Sequence, residues 1–534
     1  MNPASDPGGG LDPASLAVLI ARLTGIADEM GVVLRRSAIS PNIKERADCS
    51  AAVFTATGEL LVQAEHIPVH LGAMPLAVEA AIADCGEDVR AGEQIIVNDP
   101  FRGGTHLNDV TLVAPVHAAS GARIGWVATR AHHNDVGGTA PGSMPPDATH
   151  IAEEGICISP RILDATTARE FAEASRTPDE RHGDLAAQIG ANRVGARRLT
   201  DLATEPFREV VDYGERRMRA ALRAIPDGRH EFVDTLETGV GELAVTVVVT
   251  VTGDGIEFDF RGSAPQQRGN LNAVRAVTVS AVAFALRAAT DPTIPANGGA
   301  LRCVRVVTEP GTIVDAQFPA AVAAGNVEVS QRVADVCLGA LAAFVPRRVG
   351  AAGQGTMNNV LLGGQLADGR AWVYYETIGG GQGARPGREG GIGPGREGGS
   401  GPGRDGMSGV HTAMTNTLDT PVEALERAYP LRVRRYSLRR GSGGAGEACG
   451  GDGIIKEIEV LTGATCTLIT QRRVQGPYGL RGGERGQPGE NWYLPGGDAR
   501  GARRLDANCT LELRPGDVVR IVTPGGGGFG PVTG

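Results

Sequence analysis

The amino-acid sequence predicts an α+β protein, a mixed multi-layer enzyme fold with a β-rich core and a glycine-rich β region at its C-terminal end. Apolar residues recur at helical spacing in residues 12–31 and in roughly 165–224, whereas 49–65, 93–138 and 241–262 carry the short β-branched runs of strands. Aromatic residues make up only 4% of the chain, so this β core must be filled by Val, Leu, Ile and Ala. With 534 residues, 41% of them hydrophobic, the chain can bury a large interior and should divide into two or more subdomains.

In chain order, the first helix is predicted from Asp12 as N-cap, Pro13 at the first helical position and an apolar stripe running from Leu16 to Met30. "CSAAVFTATGELLVQAE" (49–65) reads as two strands about a Thr-Gly turn, and a small-residue helix follows near 74–86. Residues 93–138 read as β structure, and the mixed-charge tract at 165–224 as helices whose charges form a solvated face. Strands resume with "GELAVTVVVTVTGDGIEFDFRG" (241–262), alternate with helices to about 380, and give way to the Gly-rich β end. The resulting divisions are 1–164, a helical segment 165–226, a central α+β region 227–384, a loop 385–409 and a C-terminal region 410–534. The loop holds "PGREGGIG", "PGREGGSG" and "PGRDGMSG", an octapeptide repeat with nothing to bury, and is expected to be flexible.

Composition also excludes function classes. The net charge of -9 and the lack of a basic stripe with interleaved aromatics argue against nucleic acid as partner. Nowhere do 18 consecutive apolar residues occur, and "MNPASDPGGGLDPASL" has neither a basic nor an apolar leader region, so no membrane partner and a cytoplasmic location are expected. The eight cysteines form no CxxC pair and read as mostly buried small hydrophobes. Lys44 and Lys456 are the only lysines, and neither lies in a GxxxxGK[ST] phosphate loop. If ATP is used, another chain binds it.

The chemistry concentrates in "NDPFRGGTHLNDV" (98–110) and "RAHHNDVGG" (130–138). The intervening residues form a hairpin whose turn at about 120–121 places Asp109 opposite His132. His106 lies three residues before Asp109 in a glycine-flanked segment that can fold back. One hairpin end thus gathers imidazole, carboxylate and imidazole, a donor set suited to zinc, manganese or iron(II). His132 and His133 point to opposite faces of a regular strand, so one of them reaches the same ion, with His132 favoured. The alternative is that these histidines bond to backbone in a tight glycine-rich corner. His66 and His70 read as structural histidines or pocket walls, and Ser143 lacks a nucleophile-elbow context. "ETIGGGQGAR" (376–385) offers either a tight β turn or a phosphate contact through backbone N–H groups and the Arg385 guanidinium.

Several segments occur in an order that resembles the hydantoinase B/oxoprolinase family: "SPNIKERADCSAAVF", "AEHIPVHLGAMP", "NDPFRGGTHLNDVTLV", "RAHHNDVGGTAPGSMPPDATHIAEEGI", "GNVEVSQRVADV", "GTMNNVLLGG", "TPVEALERAYPLRV" and "TPGGGGFG". The family includes N-methylhydantoinase B subunits, the C-terminal half of 5-oxoprolinases and B-type subunits of acetone and acetophenone carboxylases. The resemblance implies a hetero-oligomer in which an A-type ATPase partner binds ATP and magnesium and phosphorylates the substrate. The B-type chain carries one divalent transition metal and handles the activated intermediate. The ligands it implies are Asp48, His106, Asp109 and one of His132 and His133, and these five residues are the expected catalytic set. The expected reaction is hydrolysis of a cyclic amide. The alternatives are carboxylation of a ketone, or a non-catalytic scaffold with a purely structural metal. The chain departs from the family pattern at Cys49 and Ala51, which replace an aromatic and a cysteine, and at Gly441 and Ala448, which replace an aspartate and an arginine.

Overall fold

The computed structural model describes residues 11–64, 67–239, 241–387 and 403–532. His66 and most of the octapeptide repeat (388–402) lie outside the described residues. The remainder is α+β, built from four sheets and the helices that cover them.

A six-stranded antiparallel sheet carries the candidate site. Its order is Leu60–Ala64, Cys49–Thr55, Arg123–His132, Asp109–His117, Ile95–Val97, Arg161–Ile162. Alternate residues on each strand face opposite layers. Ala51, Val53 and Val127 pack on Leu19, Leu23 and Met30 of the first helix, while Ala52, Phe54, Trp126 and Ala128 pack on Met74 and Val78 of the helix behind. The first helix runs Pro13–Ser37, and Asp12 accepts hydrogen bonds from the N–H groups of Ala14 and Ser15, the capping that the sequence signals. The helix expected near 74–86 starts at His70, with Pro75 inside it.

The helical tract resolves into Ala165–Ala174, Pro178–Thr200 and Phe207–Arg223. Its charges are not all solvated, as the pattern suggests. Arg181 and Asp184 are buried, and Asp184 accepts the N–H groups of Ile39 and Ser40 at 2.9 and 3.0 Å. The pair ties this helix to the chain leaving the first one, where two backbone donors would otherwise go unpaired.

The second sheet (Gly228–Thr238, Gly241–Thr252, Gly255–Asp259, Val304–Val307) is antiparallel apart from its last, parallel pair, and its Val245, Val247 and Val249 share a core with helices Arg275–Ala289 and Ser330–Phe344. The other two sheets, one containing Asn359–Gln365 and Ala371–Thr377, the other Leu431–Arg439 and Gly453–Val460, share one apolar core. Glycine-rich loops close this end by backbone-to-backbone contact. A Cβ on Gly381 would lie 2.0 Å from the Gly451 carbonyl oxygen and 2.2 Å from the Gly526 nitrogen, so no larger residue fits.

Candidate metal centre

The hairpin forms with the register that its turn dictates. Asp109 pairs with His132, and the pairing holds to Val116↔Gly125 before a bulge at His117. His106 folds back onto the strand end, where its carbonyl accepts the Asp109 N–H at 3.1 Å. The preceding corner needs glycine. Gly103 has φ +82°, and a Cβ there would lie 2.4 Å from the Ala77 nitrogen.

Three donor atoms meet at this corner in a triangle. His106 Nε2 lies 3.1 Å from His132 Nδ1, and the Oδ1 of Asp109 lies 3.2 Å from the first and 3.3 Å from the second. Hydrogen bonding cannot satisfy all three sides. If both ring nitrogens donate to Oδ1, two N–H groups face each other; if one accepts from the other, it loses its own bond to Oδ1. The far nitrogens, His106 Nδ1 and His132 Nε2, are buried and have no hydrogen-bond partner among the described residues. Donors bound to one cation at about 2.1 Å are separated by roughly 3.0 Å in octahedral and 3.4 Å in tetrahedral geometry. The observed sides fall between these values, so the donor set fits a single divalent ion.

The surroundings fix the charge and aim of each group. His70 contacts the other Asp109 oxygen at 3.3 Å through Nε2 and Ser50 Oγ at 2.9 Å through Nδ1, and Thr105 also donates to Asp109. Burial pushes the Asp109 carboxyl up, but the neighbouring His106 and His70 and the hydrogen bonds of His106 and His132 outweigh it, holding the group well below the usual carboxylate range. Burial pulls His132 below its ordinary value, against the Asp109 contact, which favours the neutral ring that can donate a lone pair. Tyr375 stacks on His132 with centroids 4.8 Å apart and 20° between planes, and its hydroxyl donates to Asn359 Oδ1 at 3.0 Å.

Of the remaining expected residues, Asp48 lines the same small cavity, of about 20 Å³, while its carboxylate stands outside the group of donors that lie within 4.8 Å of one another. Its carbonyl accepts the His132 N–H at 3.0 Å, and Asn42 Nδ2 lies 3.4 Å from its Oδ2. His133 turns to the opposite face. Its Nε2 lies 3.0 Å from Gln188 Oε1, and its ring meets Phe171 edge-on. Because Gln188 Nε2 donates to the carbonyls of Val110 and Thr129, Oε1 must accept, so His133 carries its proton on Nε2. Burial, aided by Arg181, pulls this ring down to about 4, so it stays neutral. Cys49, buried beside Asp48, has its thiol pushed up to about 12 by burial and that carboxylate, which removes it as a nucleophile.

The rest of the cavity wall comes from distant segments that local spacing could not assign: Asn326, Val327, Met357, Tyr375, Met414, Thr415 and Thr417. Arg46 ties two of these segments, those of Tyr375 and Thr417, to the chain before the first strand. Its guanidinium donates to the Tyr375 carbonyl at 2.7 Å and to Thr377 Oγ1 at 2.8 Å, while also holding Asn42.

A model of the hydantoinase B/oxoprolinase family matches residues 12–532. The chain belongs to this family. An uncharacterized protein of Methanocaldococcus jannaschii is 39% identical, over 97% of this chain and 91% of its own length. 5-Oxoprolinase 1 of Arabidopsis thaliana is 36% identical over 97% of this chain, which spans only 42% of that protein. Among solved structures, the ATP-dependent caprolactamase from Pseudomonas jessenii superposes with a TM-score of 0.87 and 28% identity, over 98% of this chain and 92% of that one. No helix of the described residues is long and apolar enough to cross a membrane.

Proposed function

We propose that this chain is the metal-dependent B-type part of an ATP-driven enzyme that hydrolyses a small cyclic amide. An A-type ATPase partner would bind ATP and magnesium and activate the ring by phosphorylation. The observation that carries this reading is the donor triangle of His106, Asp109 and His132, which no arrangement of protons satisfies and a divalent zinc, manganese or iron ion does. The names of the relatives supply the substrate class, since 5-oxoproline and caprolactam are both lactams.

A bound divalent ion supplies Lewis acidity toward a carbonyl oxygen or a water. The protein groups prepare for it. Asp109 is held anionic, His70 occupies its second oxygen and so leaves Oδ1 for the triangle, and Tyr375 fixes the plane of His132. Asp48, on the cavity wall, is the further carboxylate available to the ion or to a proton. His133 holds the strand against helix Pro178–Thr200 through Gln188 and so positions its neighbour His132.

Reconstitution with the A-type partner tests the assignment. ATP-dependent ring opening of 5-oxoproline, a hydantoin or caprolactam, abolished by His106→Ala, is the expected result. Carboxylation of acetone without ring opening of any of the three would overturn it.

A further inference from the structure

The direction in which His132 offers its Nδ1 lone pair depends on the tilt of the ring about its Cβ–Cγ bond, a torsion whose broad, roughly two-fold preference leaves that tilt open. Packing must settle it. One neighbour is His106, inclined by 49° with centroids 4.9 Å apart; the near-parallel neighbour is Tyr375. What holds Tyr375 therefore holds the aim of His132.

Tyr375 pairs with Leu361, so Asn359, two residues earlier on the neighbouring strand, lies on the same face and within reach of the phenol. Asn359 is fully buried, and its partners allow its amide one orientation. Nδ2 donates to Glu328 Oε1 and to the Ile469 carbonyl, both at 2.8 Å, and the same Glu328 oxygen accepts the Met357 N–H. A flipped amide would turn an oxygen onto two acceptors. Oδ1 is left for the Tyr375 hydroxyl, which donates to it at 3.0 Å. Burial pushes that hydroxyl above its ordinary range, so its proton stays and is committed to Asn359.

Both sides of this amide are anchored. Asn358 takes a left-handed φ of +50°, a conformation that asparagine tolerates, and is fastened to Gln354 Oε1 and Arg473, each at 2.8 Å. Glu328 belongs to the π-helical turn Gly325–Val329, whose Asn326 and Val327 line the metal cavity. Such turns are frequent at functional sites.

We propose, resting on the metal-centre reading above, that Asn359 is a positioning residue of that centre. Held by Glu328 and Ile469, it fixes Tyr375, and Tyr375 fixes the plane in which His132 meets the ion.

Cobalt(II) titration of the metal-free full chain, followed by visible absorption, tests this without turnover. The parent should saturate at about one ion per chain. Tyr375→Phe keeps the ring and removes the bond, and Asn359→Ala removes it from the other side. Each should weaken cobalt binding by roughly tenfold or more and alter the ligand-field bands. The double variant should bind within about twofold of the weaker single variant, because both substitutions remove one shared bond. Losses that multiply in the double variant would overturn the proposal. A bond that merely stabilised the fold would lower the melting temperature and leave affinity and spectrum unchanged. That result in Tyr375→Phe overturns the positioning claim alone, even if Asn359→Ala does not fold. A parent that binds no cobalt overturns the metal-centre reading and the positioning claim together.

Discussion

Glu328 offers a sharp test of the buried electrostatics beside the cavity. It lies in the π-helical turn Gly325–Val329, fully buried, with Oε1 accepting the Met357 N–H at 3.1 Å and Asn359 Nδ2 at 2.8 Å. Its other oxygen has no partner among the described residues. Burial raises the carboxyl from its ordinary 4.5 to about 8, with Thr356, Met357 and nearby arginines opposing. The folded chain therefore keeps a proton that the unfolded chain releases, and stability falls as pH rises between those two values. At about 1.4 kcal/mol per pH unit the ceiling is about 5 kcal/mol, and about 3 kcal/mol of it falls between pH 5.5 and pH 8. Glu328→Gln keeps the acceptor at Oε1 and removes the titration. Urea unfolding at both pH values should show the parent losing about 3 kcal/mol more than the variant on going to the higher pH. Glu154, also raised to about 8 by burial, contributes equally to both proteins and cancels. Parallel pH profiles for parent and variant would refute the claim that Glu328 is buried as the neutral acid.

Two further sites probe the packing. Gly381→Ala forces a methyl into the carbonyl of Gly451 and the nitrogen of Gly526 and should lower stability by about 3 kcal/mol or more, read as a drop in melting temperature. Lys456, one of two lysines, is buried with its Nζ 2.6 Å from both oxygens of Glu376. Lys456→Met alone should cost about 3–5 kcal/mol by stranding the carboxylate, and adding Glu376→Leu should recover most of that loss in the same melting assay.

The hairpin was legible because its determinants are local. A turn near residue 120 and a period of two settle which residues face each other, and Asp109 meets His132 on that basis alone. The first helix was legible for the same reason, since Asp12 and Pro13 signal it within four residues of chain. What spacing missed is non-local. Tyr375, Met357 and Thr417 reach the cavity from segments more than two hundred residues away, and the Arg46 bonds that hold Tyr375 and Thr417 depend on side-chain reach, which no periodicity encodes. Arg181 and Asp184 were misread as surface because a charged helical stripe looks the same whether it meets water or the backbone donors of Ile39 and Ser40. At 376–385 the sequence left a tight turn and a phosphate contact both open, because a glycine run shows that backbones approach closely but not whether they approach a ligand or each other; here the N–H groups of Gly380, Gly381, Gln382, Ala384 and Arg385 donate to other backbone carbonyls.

The proposed function requires a cation at His106, Asp109 and His132. Metal analysis of the purified chain by inductively coupled plasma mass spectrometry tests this most directly. The parent should carry about one divalent transition-metal ion per chain, and His133→Gln, altered on the opposite face, should keep it. His106→Ala and Asp109→Ala, folded by circular dichroism, should each lose it. A parent protein that holds no transition metal after purification in metal-supplemented medium, or full retention in both variants, would contradict the account.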